Sequence, residues 1–452
     1  MENIIGIIGL LFAIAILVVG AYKGLGALPV TLIATMVAVV ANAPTIGEIF
    51  TTTYIWDSFS KTYVGGYTSA YTSYLLMFAF SSLYTKLMQK AGCAQAIAYK
   101  FIDWFGKKHV ILVSILVISF LTYGGVSLFV VVFAVAPIMF TLFEEKNIPR
   151  HLAMGCLMMG AATYTMTCLP GTTQLTNLVP TEFLGTTLTA APLLGILCAI
   201  GIFTIGYTYM LSAEKKAIAA GETFSYPKGY EVGNFDSRNR SELPSAIGSF
   251  LPSILLLSFI IIGSRIPGIN STMIATYAMI IGSVAVIGLN SSKFKGANWI
   301  ELITDGLDGG IEGIGGIAAV LAFGAIVKVT PAFQTIVDSV LAIEMHPYVR
   351  GIFGTMIFSA VTGSSSGGLR ITLEALQETL VNSGANMQIL HRLMAVSADA
   401  LDTLPHSPGL FLMFAVLGLT HKNAYKHVFF TSTIAPITVV FVATTVCVMF
   451  GL

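Results

Sequence analysis

Long apolar runs, separated by short polar stretches, fill the chain from end to end. Crossing about 30 Å of hydrocarbon takes roughly 20 helical residues. Runs of that order cover 4–22, 25–41, 69–88, 188–211, 247–264, 272–290, 301–328 and 428–450. Two longer runs, 151–185 and 388–420, carry helix-breaking residues in their middles. The first has Leu169, Pro170 and Gly171 followed by Thr172, Thr173 and Gln174; the second has Leu404, Pro405, His406, Ser407, Pro408 and Gly409. Proline lacks the backbone donor and clashes with the preceding turn, so the pattern predicts two discontinuous helices among about ten transmembrane spans. Two further apolar stretches, 109–143 around Gly124 and Gly125 and 348–382 around Gly363 to Gly368, are too long for one span and small in the middle. They are expected to be re-entrant hairpins whose glycine tips expose N–H groups at the start of the returning helix.

Lysine and arginine placement orients these elements, because cytoplasmic loops carry the basic excess. With the N-terminus outside, the inward loops hold Lys23, Lys86, Lys90, Lys100, Lys107, Lys108, Lys146, Arg150, Lys215, Lys216, Lys228, Arg238, Arg240, Lys293, Lys295, Lys422 and Lys426. The outer loops keep Lys61, Arg265, Lys328 and Arg350. Both termini are then outside, and the two hairpins enter from opposite faces. Two inverted repeats are expected: 1–212, with hairpin 109–143 and broken helix 151–185, and 247–452, with hairpin 348–382 and broken helix 388–420. The polar segment 213–246 between them reads as a solvated cytoplasmic linker. The span after each break opens alike, with Thr189, Ala190, Ala191 and Pro192 in one half and Thr433, Ile434, Ala435 and Pro436 in the other. Inverted repeats with discontinuous helices recur in secondary transporters.

Composition agrees with this reading. Hydrophobic residues make up 55% and charged residues 10%, with mean hydropathy +0.84, against roughly 25% charged in soluble domains. The fold class is therefore an all-α polytopic membrane protein with the lipid bilayer as its surroundings. A net charge of +1 offers no basic field for nucleic acid. Met1, Glu2 and Asn3 lack the basic start of a signal peptide, so 4–22 is expected to be retained as a helix. Cys93, Cys156, Cys168, Cys198 and Cys447 show no paired spacing, which argues against a disulfide framework, a metal site or a bound cofactor.

The candidate chemistry is polar but mostly uncharged. Thr172, Thr173, Gln174, Thr176 and Asn177 follow the first break, with Ser127 on the hairpin tip that could face them. At the second break, Ser364, Ser365 and Ser366 could face His406 and Ser407. Hydroxyls, amides and helix N-termini suit a small organic anion, because partial positive charge there stabilises a carboxylate without a formal cation. Asp399, Asp402 and His406 surround the second break, and an ionisable group at membrane depth is a functional candidate. Asp402 could cap the unwound segment, bind Na⁺ or carry a coupling proton; His406 could bind substrate or titrate near neutral pH. Arg370 could pair with the substrate carboxylate or with Glu374 one turn on, the intrahelical pair being the expected one. Asp305, Asp308 and Glu312 lie in a glycine-rich stretch that reads as a connecting arm, and Tyr54, Trp56, Tyr63, Tyr67 and Tyr71 as an interfacial belt or a contact between protomers.

The segments 121–129 (LTYGGVSLF), 169–177 (LPGTTQLTN), 362–369 (TGSSSGGL) and 401–409 (LDTLPHSPG) resemble the gluconate permease (GntP) family of the ion transporter superfamily, over nearly the whole chain. The resemblance implies uptake of small carboxylates, such as hydroxy acids and sugar acids, across a bacterial inner membrane, generally coupled to protons. It also implies a homodimer with an elevator movement, and a substrate site built from both tips and both breaks, which adds Gly125 and Gly367. Arg370 departs from the small or polar residue expected of the family.

The expectation is thus a symporter for a small organic anion driven by H⁺ or Na⁺, with no catalytic residues. An intramembrane hydrolase using a serine among Ser364 to Ser366 with His406 is the alternative, yet no Gly-x-Ser-x-Gly motif lies on a strand-to-helix turn. A passive anion channel would want rings of basic side chains, which the sequence lacks.

Overall fold

Every regular element among the described residues is helical. The computed structural model describes residues 2–23, 25–49, 51–106, 109–123, 128–172, 174–228, 242–263, 271–342 and 344–452. Among the described residues, four helices are each long and apolar enough to cross a membrane: Ile4–Tyr22, Pro192–Ala219, Trp299–Val329 and His421–Met449. Shorter apolar helices, Ala27–Ala41, Ala246–Gly263 and Ser271–Leu289, occupy other expected spans. Two helices, Cys93–Phe105 and Pro331–Ala342, lie outside any expected span; their mixed apolar and polar sequences lack membrane length.

The long helix Trp299–Val329 lies directly along Val64–Ala91. The glycine-rich stretch makes this possible: a Cβ on Gly310 would sit 2.4 Å from the Phe78 carbonyl oxygen, so the two backbones touch there. Asp305 sits on the same helix and pairs with Lys86 at 2.8 Å. Of the aromatic run, Tyr63 turns inward, its hydroxyl 2.7 Å from Thr31 Oγ1, while Trp56 stays exposed.

Both apolar stretches with small middles fold as helix pairs. Val110–Tyr123 and Leu128–Lys146 form the first, and the turn between them, including Gly125 and Ser127, lies outside the described residues. Pro347–Thr362 and Ser365–Val381 form the second. Its turn depends on Gly363, whose φ of +61° is a left-handed conformation, and Ser364 caps the returning helix by accepting from the Gly367 N–H at 3.2 Å.

Both predicted breaks are present. Helix His151–Ala161 gives way to the short turn Tyr164–Thr167, then to irregular chain until Leu175–Leu184. Helix Met387–Ala398 ends at Asp399, and Pro408–Val416 begins after Ser407.

Among its described residues the segment 213–246 is mostly exposed, with Glu214 and Ala217 buried. Its first part continues helix Pro192–Ala219, and Glu214 is buried there against Lys146. The next residues bind the start of the first broken helix. Glu222 meets His151 at 2.5 Å, the Phe224 N–H donates to Asn147 Oδ1 at 3.1 Å, and Arg150 donates to the Ser225 carbonyl at 2.5 Å. Glu214 and Glu222 have partners, while Lys215, Lys216, Glu222 and Lys228 stay exposed. Asp236, Arg238 and Arg240 lie outside the described residues.

Candidate functional site

Each hairpin end is bonded to the break of its own half. In the first half, Tyr123 donates its hydroxyl to the Pro170 carbonyl at 3.0 Å, and Gln174 Nε2 donates to the Thr122 carbonyl at 2.8 Å. In the second, His406 Nε2 lies 2.8 Å from the Ala360 carbonyl and Ser407 Oγ donates to the Gly363 carbonyl at 3.0 Å. Chain opened by proline thus satisfies its polar groups against a helix end, as irregular backbone inside a membrane requires.

The two halves meet around one cavity of about 160 Å³. Ala162, Met166, Gln174 and Leu175 line it from the first broken helix, with Leu128 from the first hairpin. The second hairpin contributes Gly363, Ser364, Ser365 and Ser366, and the second break Asp402, Thr403, Ser407 and Gly409, with Leu410 and Met413 beyond. Hydroxyls, one amide, one carboxyl and the starts of helices Ser365–Val381 and Pro408–Val416 therefore face an otherwise apolar space. Among its described lining residues there is no lysine, arginine or histidine.

Of the residues singled out from sequence, Gln174, Ser364, Ser365, Ser366, Ser407 and Asp402 line this cavity. Thr172, Asn177, Gly367 and His406 sit behind its wall. Asn177 Nδ2 donates to the Thr172 and Leu188 carbonyls, both at 2.8 Å, and so holds the unwound chain in shape. Thr172 is fully buried, its hydroxyl unpartnered among the described residues. Gly367 gives its N–H to the Ser364 cap, and His406 ties the second break to the hairpin. Thr173, Gly125 and Ser127 lie outside the described residues.

Several residues on helix Met387–Ala398 carry structure that motif reading missed. His391 is fully buried, with Nδ1 2.6 Å from Thr186 Oγ1 and Nε2 3.1 Å from Asn177 Oδ1. Arg392, also fully buried, donates to the Ala190 carbonyl from Nε and Nη2 at 3.1 and 2.9 Å, and to the Thr167 carbonyl from Nη1 at 2.5 Å. The second half thereby closes the open carbonyls of the first half's break. An arginine inside an apolar run was the available signal, since such a charge needs internal partners. Arg370 makes its shorter ion pair with Glu182, at 2.9 Å, and lies 3.6 Å from the expected Glu374. Glu182 comes from the other half and competes because both side chains stay half exposed.

No protein-family model matches the chain. It is similar to the uncharacterized transporter YxjC of Bacillus subtilis (strain 168), with 30% identity over 463 residues, covering 93% of this chain and 94% of that protein. Apolar helices of membrane length and a full-length relationship to a transporter mark an integral membrane protein of helical fold. At that identity and coverage, the chain belongs to the same family as the YxjC transporter.

Proposed function

We propose that the protein is a secondary active transporter of the gluconate permease type that takes up a small organic carboxylate together with H⁺ or Na⁺. The observation that carries this reading is the cavity between the two breaks, where Asp402 is the ionisable group among the described lining residues. An anion entering beside a carboxylate needs a compensating positive charge. With no basic side chain in the described wall, that charge is a proton or metal cation travelling with the substrate. Serine hydroxyls and two helix N-termini are suited to hold the substrate carboxylate.

Cavity size narrows the substrate class. A cavity of about 150 Å³ holds a benzene-sized molecule, so about 160 Å³ suits a short hydroxy or keto acid better than a six-carbon sugar acid of roughly twice that bulk. Two inverted repeats, a homodimer in a bacterial inner membrane and an elevator movement complete the proposal. The close packing of Trp299–Val329 on Val64–Ala91 supports a rigid scaffold for such a movement.

Reconstituted vesicles test the reading. Wild-type protein should concentrate a radiolabelled short hydroxy acid above its outside level under an imposed pH or Na⁺ gradient. Equilibration without accumulation would favour a channel, and a chemically altered product would favour a hydrolase.

A further inference from the structure

Behind the cavity, the second break holds a carboxyl that the fold leaves uncompensated. Asp399 caps the C-terminal end of helix Met387–Ala398, is 1% exposed, and does not line the cavity. Neither of its oxygens accepts a hydrogen bond among the described residues. The adjacent hydroxyl, that of Thr167 in the first broken helix, also lies 3.1 Å from the Thr163 carbonyl, which competes for its one hydrogen.

The groups around Asp399 make matters worse for a bare anion. Asp402 lies three positions on, with Oδ1 also unpartnered among the described residues. The end of a helix adds partial negative charge from its free carbonyls. Arg392 is nearby on the same helix, yet its guanidinium is spent on the Thr167 and Ala190 carbonyls. A buried carboxylate in this setting requires a cation or a proton.

We propose that Asp399 is a second position for the coupling cation, H⁺ or Na⁺, separate from the one at Asp402. This rests on the reading of the chain as an ion-coupled anion transporter. Asp402 shares its space with the substrate; Asp399 sits where the two breaks cross, between Thr167 of one half and its own. Occupancy there neutralises the crossing while the anion occupies the cavity. The transporter then moves two cations with each substrate.

The test uses the full-length protein in vesicles, with Asp399→Asn as an uncharged isostere, under separate pH and Na⁺ gradients. The variant should still bind and transport a labelled short hydroxy acid, but its accumulation ratio should fall to that of a single coupled cation. The slope of log affinity against log cation concentration should drop by about one. Whichever gradient drives the wild type identifies the cation. Wild-type accumulation and slope in Asp399→Asn, or loss of binding in a folded variant, would overturn the assignment. If the variant does not fold, the reversal potential of the wild type decides, because one cation per substrate contradicts two positions. No accumulation by the wild type under either gradient defeats the transport reading itself, and this inference with it.

Discussion

His151 and His427 lie edge to edge, their ring planes 6° apart, with Nδ1 of the first 2.8 Å from Nε2 of the second. Glu222 meets the free side of His151 at 2.5 Å, and the Tyr209 hydroxyl lies 3.1 Å from His427 Nδ1. A carboxylate only accepts, so His151 donates from Nε2, and in its neutral form it accepts at Nδ1. His427 then donates from Nε2 and accepts from Tyr209. A single directed chain joins the start of the first broken helix, the segment after Pro192–Ala219 and the helix leading into the last span. His427→Phe keeps an aromatic ring in place and removes both bonds. It should lower stability by about 1–3 kcal/mol, read as a lower denaturation midpoint in detergent, with little change in substrate affinity. An unchanged midpoint would mean the chain is incidental.

Arg392 bears on the site itself. Its three bonds close the Thr167 and Ala190 carbonyls on either side of the first break. Arg392→Met leaves those acceptors buried and open, at about 1–3 kcal/mol each. Arg392→Lys keeps the charge but cannot fork to two carbonyls. Both variants should unfold earlier, the methionine variant most. Equal stability of all three proteins in a urea titration would deny the brace.

Arg370 separates two roles by charge reversal. Its pair with Glu182 is half exposed, so the bond is worth only about 0.2–1 kcal/mol. Arg370→Glu should weaken the contact between the halves, and adding Glu182→Arg should restore it. If Arg370 instead held the substrate carboxylate, the double variant would stay as weak in uptake as the single one. Measured uptake affinity across this double-mutant cycle distinguishes the two.

How much of this was legible in the sequence follows from distance along the chain. Proline and glycine act on their own neighbours, so Pro170, Pro405 and Gly363 announced the breaks and one turn correctly. Serines next to those signals, such as Ser364 and Ser365, were found with them. His391 and Asn177, in contrast, lie in different halves, and neither has a local pattern that names the other. Asp399 was seen as an ionisable residue near the break, yet its lack of partners is a property of three-dimensional surroundings. The segment after Pro192–Ala219 is exposed as its charge suggests, but its contacts are long-range for a related reason. Lys146 and His151, far back in the chain, are the partners of Glu214 and Glu222.

The tip of the second hairpin can be tested with its own control. Gly363 and Gly384 both adopt left-handed backbone, at φ +61° and +75°. An alanine in that conformation costs roughly 1–2 kcal/mol at either position. They differ in what surrounds them: a Cβ on Gly363 would meet the Ser407 Cα at 3.0 Å, whereas nothing lies within 4 Å of one on Gly384. Gly384→Ala should therefore lose only stability. Gly363→Ala should lose a similar amount and also push Ser407, and with it one wall of the cavity, away from the tip. Substrate affinity measured by thermal shift should fall at least about tenfold, some 1.4 kcal/mol, in Gly363→Ala alone. Equal affinity in the two variants would show that the contact between tip and break does not shape the site.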